Sequence, residues 1–295
     1  MDLDTLIVTV FCQIDDMLVE LFADYPIRQR GASPALSDAE VLTLELIGEY
    51  LGLAQDKQIF EYFRRHDCHF FPHLRRLHRT TFTRQAANLW RVKELVWQRT
   101  LKNIEYDPAI TLIDSFPIPV CRFARANRVR VLRDVAAYGF DEMAKQTFFG
   151  GRLHLRVSLP GVITAIEFAP ANIHELEVAQ DLLDKTRGFG LGDRNYWSPS
   201  FFERCRAHDL QMIVPYRSAK RERKRFPPWL TNMRRRIETV IGQLTERFHI
   251  KRVWARDAWH LCSRLLRKVL AHTFCVFFCQ QYACEPSQMA RLLSS

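Results

Sequence analysis

The sequence contains no CxxC pair and no CxxC…CxxC array, although it has eight cysteines. Cys12, Cys68, Cys121, Cys205, Cys262, Cys275, Cys279 and Cys284 are scattered, which argues against a zinc ribbon. Cys275 and Cys279 lie i, i+4 in the run FCVFFC, a spacing that buried thiols on one helix explain better than a metal. Long apolar runs are also missing. The longest, Val269 to Phe278, is interrupted by His272 and is too short to span a bilayer, so no membrane association is expected. The opening MDLDTL lacks the basic region of a secretory signal, and reduced thiols in the cytoplasm are the expectation. No repeat or low-complexity tract appears. Acidic residues are in deficit: 33 Asp and Glu against 43 Lys and Arg leave a net charge of +10. A basic surface attracts polyanions by releasing their counterions, so nucleic acid stands as a candidate partner beside a basic protein without that role.

What is present suits a sizeable core. Hydrophobic residues make up 47% of 295 and charged residues 26%, enough for one catalytic core plus a smaller helical domain, or a single large domain. Residues 1–100 read as helical. Leu3, Leu6, Val10 and Ile14 form one stripe, and Ser37-Asp-Ala-Glu40 is a capping box. Ile59, Phe60 and Phe63 mark a third helix, and Arg79 to Leu101 a fourth. The texture changes at Tyr106-Asp-Pro108. Ile110 to Ile113 is a β-type run ending in Asp114. Residues 147–159 alternate, with Leu153, Leu155 and Val157 on one face. Pro160-Gly161 makes a turn, and Val162 to Phe168 returns. A helix over 172–185 precedes a strand, Phe189 to Leu191, that runs into Gly192-Asp193. Ser198 caps a helix to Ala207, Leu210 to Val214 is a strand, and 231–249 and 258–282 are helices. The expectation is an α/β chain: an all-helical N-terminal domain over 1–105, with DNA binding or dimerisation as its candidate roles, a catalytic domain over 106–282, and a tail over 283–295.

Phosphodiester chemistry with two divalent ions needs carboxylates that converge in space. Mg²⁺ keeps several waters, so two or three carboxylates suffice. Asp114 and Asp193 each follow a buried strand, which fixes the backbone while the carboxylate projects at the sheet's end. Glu238 lies on the flank of a stripe made by Ile237, Val240, Ile241, Leu244 and Phe248, with Arg234 and Arg235 one turn earlier. Each also has a plainer reading. Asp193 suits a turn, Asp114 a cap, and Glu238 a solvated ion pair. Their strand, strand, helix order favours the joint reading.

Here the residues become familiar. Leu112-Ile-Asp-Ser-Phe-Pro117 resembles the first-acid motif of bacterial insertion-sequence DDE transposases, closest to the insertion-sequence-982 type. Gly192-Asp-Arg-Asn-Tyr196 resembles their second, usually G-D-x-G-Y. Arg235-Arg-Ile-Glu238, followed by Gln243-Leu244, Phe248 and Arg252, resembles their third. Phe149-Gly-Gly-Arg-Leu-His-Leu155 and Ala171-Asn-Ile-His174 are similar to two further family segments. The resemblance implies an RNase H-like core, a mixed sheet flanked by helices. It implies two divalent ions, Mg²⁺ or alternatively Mn²⁺, held by Asp114, Asp193 and Glu238 as catalytic acids. It implies a transposase that binds the terminal inverted repeats of its element, cleaves at the ends and joins the 3′-hydroxyls to target DNA, as a homodimer on DNA near the nucleoid. A nuclease of the same fold without strand transfer, and a decayed DNA-binding protein, are the alternatives. Asn195 stands where the family usually has Gly; if that Gly adopts positive φ, Asn is the next best tolerated residue there and keeps the turn. Thr245 stands where some related families have Lys, with Lys251 or Arg252 as substitute DNA contacts.

A phosphate track is expected from Arg217, Lys220, Arg221, Arg223, Lys224 and Arg225, continued by Arg234 and Arg235; a solvated loop is its plain alternative. His154, His174 and Tyr196 are candidate accessory residues, with packing or capping as the alternative. Tyr196 offers a face for a frayed base.

Overall fold

A computed structural model describes residues 1–215 and 227–292. In chain order, helices α1 (Leu3–Leu21), α2 (Asp38–Tyr50), α3 (Asp56–His66), α4 (Arg79–Asn88) and α5 (Trp90–Leu101) lead into strand β1 (Asp107–Arg122) and the single-turn helix α6 (Phe123–Ala126). Strands β2 (Ala137–Asp141), β3 (Gln146–Leu159) and β4 (Val162–Pro170) follow, then α7 (Glu175–Leu182), β5 (Gly188–Leu191), α8 (Pro199–Ala207), β6 (Leu210–Ile213), α9 (Pro228–Glu246) and α10 (Ala258–Gln281). Contacts divide the chain into two units: Met1–Ile104 with Leu244–Ser295, and Glu105–Gln243. Expectation ran one domain over 106–282; the contacts instead group the chain from Leu244 onward, α10 included, with the N-terminal helices. No described helix is long and apolar enough to cross a membrane.

The first unit is helical. Ser37 starts α2 as its capping box predicts: Ser37 Oγ accepts the Glu40 N–H at 3.1 Å, and Glu40 Oε2 accepts the Ser37 N–H at 2.6 Å. The helix expected over 79–101 is broken in two at Leu89 (φ −84°, ψ 12°), just after Asn88, a poor helix former. Helix α10 is buried along most of its length, from Leu261 to Cys279, and packs against α2, α4 and α5. A helix covered all round must pair its charges. Lys93 Nζ donates to Glu45 and Ser263, and Arg267 donates to Glu49 Oε1 and Asp56 Oδ1, each at 2.6 Å. Lys268 Nζ reaches Glu49 Oε2 at 2.7 Å, and Arg264 reaches Asp56 Oδ2 at 2.6 Å.

The second unit is built on a six-stranded sheet. Strand β1 lies at its centre, antiparallel to β3 and parallel to β5, which is itself parallel to β6. Strands β4 and β2 follow one another along the far edge of β3. The β1–β3 approach depends on Gly150, where a Cβ would run into the Ile118 carbonyl. Under α7 and α8 the sheet buries Ile113, Ala179, Leu182, Tyr196, Phe201 and Leu210 as one cluster. Helix α9 buries Leu230, Ile237 and Val240, and Val240 meets the β3–β4 turn at Gly161. Strand β2 and helix α6 have no counterpart among the sequence expectations. Only five residues long, β2 offers too short an alternation to read without its partner β3.

Candidate active site

The sheet brings the two aspartates side by side. Strands β1 and β5 run parallel with Leu112 opposite Leu191. Two residues further along stand Asp114, still within β1, and Asp193, just past the end of β5. Asp114 Oδ1 accepts the Ser115 N–H at 2.7 Å. Asp193 Oδ1 accepts the Asn195 N–H at 2.9 Å and so opens the 3-10 turn Arg194–Tyr196. That hydrogen bond answers the expectation at Asn195. The residue sits inside the 3-10 turn and not among the positive-φ residues, so the turn needs no left-handed backbone and Asn fits without strain.

The site is short of positive charge. Burial pushes the Asp114 carboxyl up to about 7, with Asp193 and Glu175 adding to the rise, while the Ser115 N–H and the Arg234 guanidinium oppose it. Asp193 is raised too, by burial and then Glu175, against the Asn195 N–H, Arg234 and Arg152. Two half-buried carboxylates, both raised by burial and by neighbouring acids, are oxygen donors wanting a cation, the donor set that a hard divalent ion takes.

Glu238 stands apart from that pair. On α9 its side chain is half exposed, and Oε1 accepts from Arg234 Nη2 at 3.2 Å, one helical turn away. Arg234 is near enough to lower both aspartates, so Glu238 is one arginine side chain removed from them. Among the described residues, no three His, Cys, Asp or Glu side chains stand together as a ready cage for an ion.

A third acid does reach the aspartates, and sequence reasoning missed it. Glu175 is the first residue of α7, almost buried, and Oε1 accepts from Ser115 Oγ at 2.7 Å and from Arg152 Nη2 at 3.0 Å. Arg152 Nε also donates to Ser115 Oγ at 3.1 Å. Ser115 and Arg152 lie on neighbouring antiparallel strands, where Ser115 faces His154 and Pro117 faces Arg152. The available signal was an acid directly after the Ala171-Asn-Ile-His174 segment.

The accessory candidates are packed or capping. His174 is the N-cap of α7, its Nδ1 accepting the Leu176 N–H at 3.2 Å. His154 and Tyr196 are fully buried, and their ring nitrogens and hydroxyl find no hydrogen-bond partner among the described residues. Burial lowers His154 to about 4, so it is neutral at pH 7. Burial, then Glu175 and both aspartates, raises Tyr196. A covered ring offers no face to a base, so the stacking surface expected at Tyr196 is not there. Of the expected phosphate track, Arg235 is exposed and Arg234 partly so, while Arg217, Lys220, Arg221, Arg223, Lys224 and Arg225 lie outside the described residues. Lys251 and Arg252 belong to the helical unit.

Residues 106–257 match the family model described as "Transposase DDE domain". No curated protein matches the chain. Among solved structures, the chain is similar to a piggyBac transposase in its synaptic complex with hairpin DNA, determined by cryo-EM. The TM-score is 0.49 at 10% identity, over 97% of this chain and 76% of that one. That likeness is too slight to place any residue.

Proposed function

The chain belongs to the transposase DDE domain family, whose model matches just over half of it, and we propose that it cuts at the terminal inverted repeats of an insertion sequence and joins the freed 3′-hydroxyls to target DNA. The observation that carries this reading is the neighbouring placement of Asp114, within β1, and Asp193, just past the end of the parallel strand β5, with Asp114 raised by burial and by the charge of Asp193. Strand order supports an RNase H-like core: four strands joined by antiparallel pairing, followed by two parallel ones, with the first acid on the central strand.

In this reading Asp114, Asp193 and Glu238 hold two divalent cations, Mg²⁺ or Mn²⁺. When bound, such a pair activates the attacking hydroxyl and stabilises the leaving oxygen. Asp114 and Asp193 are fixed by the sheet and by the N–H groups of Ser115 and Asn195. Glu238 joins them by leaving Arg234. An exposed i, i+4 ion pair stabilises by only about 0.3–0.5 kcal/mol, so that exchange costs little. Arg234, once released, faces the site as a phosphate contact, with Arg235 beside it. The sheet buries His154 and Tyr196 beneath the acids, where their part is to shape the floor. The protein works as a homodimer on DNA in the bacterial cytoplasm.

The test is metal-dependent cleavage of DNA carrying the element's ends. Asp114→Asn, Asp193→Asn and Glu238→Gln each abolish cleavage and strand transfer while binding to the ends persists in a gel-shift assay. Cleavage retained by Glu238→Gln removes that residue from the site. Cleavage by the wild type without transfer of precleaved ends identifies a nuclease, and binding without any cleavage a decayed copy.

A further inference from the structure

Strand β1 carries Asp114 and then runs on to Arg122, a reach of at most about 26 Å at roughly 3.3 Å per residue. There the chain changes character. Arg122, Arg125, Arg128, Arg130 and Arg133 are all exposed. Among the described residues none of them pairs with a carboxylate; Arg133 Nε donates to the Val129 carbonyl at 2.7 Å. Between positions 122 and 140 the one acid is Asp134. The next two are engaged: Asp141 Oδ1 accepts the Met143 and Ala144 N–H groups, and Glu142 pairs with Lys145 at 3.2 Å.

Aromatic rings lie open within this basic stretch. Phe123 is 59% exposed, and Tyr138 and Phe140 are each 45% exposed. Tyr138 and Phe140 share one face of β2 by the two-residue period. Phe123 meets Tyr138 edge-on at 5.7 Å, and Tyr138 meets Phe149 at 5.4 Å. The Tyr138 hydroxyl donates to Asn127 Oδ1 at 3.0 Å, which ties β2 to the end of α6. The rings are therefore held in place while their faces stay wet.

We propose that the surface formed by Arg122–Arg133 and the rings of Phe123, Tyr138 and Phe140 is a binding site for single-stranded DNA. The proposal rests on the reading of the chain as a DNA-acting enzyme and adds a site separate from the acids. Unpaired bases stack on exposed aromatic faces while arginines follow the backbone, and a fully paired duplex keeps its base faces inside. A second copy of the chain is disfavoured as the occupant, because it would set five more unpaired arginines against these five. At about 3.4 Å per nucleotide, a strand engaged at Asp114 arrives at the patch within roughly eight nucleotides.

The experiment uses the full chain and fluorescence anisotropy with two probes: a blunt duplex, and the same duplex with an oligo-dT tail of about eight nucleotides. The wild type prefers the tailed probe. Phe123→Ala/Tyr138→Ala/Phe140→Ala loses that preference by about tenfold or more and keeps its affinity for the blunt duplex. Arg122→Gln/Arg125→Gln/Arg128→Gln lowers the log–log salt slope for the tailed probe by about two. Phe140→Trp retains the preference, and its indole fluorescence is quenched when the tail binds, a signature that a merely structural ring would not give. Equal affinity of wild type and triple-ring variant for the tail overturns the proposal. So does a change of oligomeric state in sedimentation with tail binding intact, which would mark the surface as an interface between copies. Absence of cleavage by the wild type with tail binding present counts against the enzymatic reading alone.

Discussion

Each unit of this protein draws an aspartate out of water, and Asp56 in the one and Asp114 in the other meet opposite surroundings. In the helical unit Asp56 is set between Arg264 and Arg267. Burial pushes its carboxyl up, but the two guanidiniums outweigh burial and hold it well below the usual carboxylate range. In the sheet unit Asp114 is also covered, yet its nearest charges include two more acids, and it rises to about 7. A buried acid matched by cations is structure. A buried acid placed beside another acid is a demand for a cation from outside.

The largest effect that sharpens this contrast is in the helical unit. Arg267→Met leaves Glu45, Glu49 and Asp56 short of a cation, turning their network into an unmatched cluster. It should destabilise by about 3–5 kcal/mol, read as a shift in the urea midpoint of that unit's slowest-exchanging amides. A change below about 1 kcal/mol would mean that Lys93, Lys268 and Arg264 suffice without it. Next, Glu175→Gln removes a charge from the sheet unit's cluster while keeping an acceptor for Ser115. The Mg²⁺ concentration for half-maximal cleavage should rise about ten- to a hundredfold, with a smaller change in the maximal rate. An unchanged metal requirement would leave Glu175 as a packing partner of Arg152.

The third effect is pH dependence of opposite sign. Asp114 is raised in the folded state above the ordinary carboxylate range, so the folded chain binds the extra proton. Its contribution to stability is present at low pH and is lost as pH rises through about 7. Asp56 is depressed, so its contribution is present above the ordinary range and is lost as pH falls through its folded value. In metal-free buffer between about pH 8 and 5, amide exchange corrected for its intrinsic rate should quicken in the helical unit on acidification, because buried His272, lowered to about 3, refuses the proton that the unfolded chain takes; in the sheet unit the proton taken by Asp114 offsets the like cost of His154, lowered to about 4, so exchange there changes less. Saturating Mg²⁺, which holds Asp114 ionised, should remove that offset. Parallel responses in both units would break the comparison. Smallest of all, Ser37→Ala removes the α2 cap and should cost about 1 kcal/mol at every pH, since no titrating group of either cluster is touched.

Much of this was legible in local sequence. The capping box at Ser37, the β-type run into Asp114, which continues as β1 to Arg122, the strand that ends before Asp193, the Ser198 cap and helices α9 and α10 all follow from patterns within a few residues of each other. The break at Leu89 and the strand β2 were not legible. The first lies inside an unbroken apolar rhythm, and the second is defined by its ladder to β3. Glu175 escaped for a related reason: as a first-turn acid it looks like an ordinary helix start. Its partners, Ser115 and Arg152, come from two other elements. The helical environment of α10 was equally hidden, because its cations find their acids on α2 and at the start of α3.

By itself the sequence determined which residues carry charge, where helices begin, and that one aspartate lies in a β-type run and another follows one, because caps and periodicity act over a handful of positions. Only the tertiary structure decided what each buried acid meets. Ser115 and Glu175 are 60 positions apart, and Arg267 and Glu49 are 218 apart. Over such separations the partner is chosen by sheet register and helix packing, and the same carboxylate becomes a structural ion pair in one unit and an unmatched acid in the other.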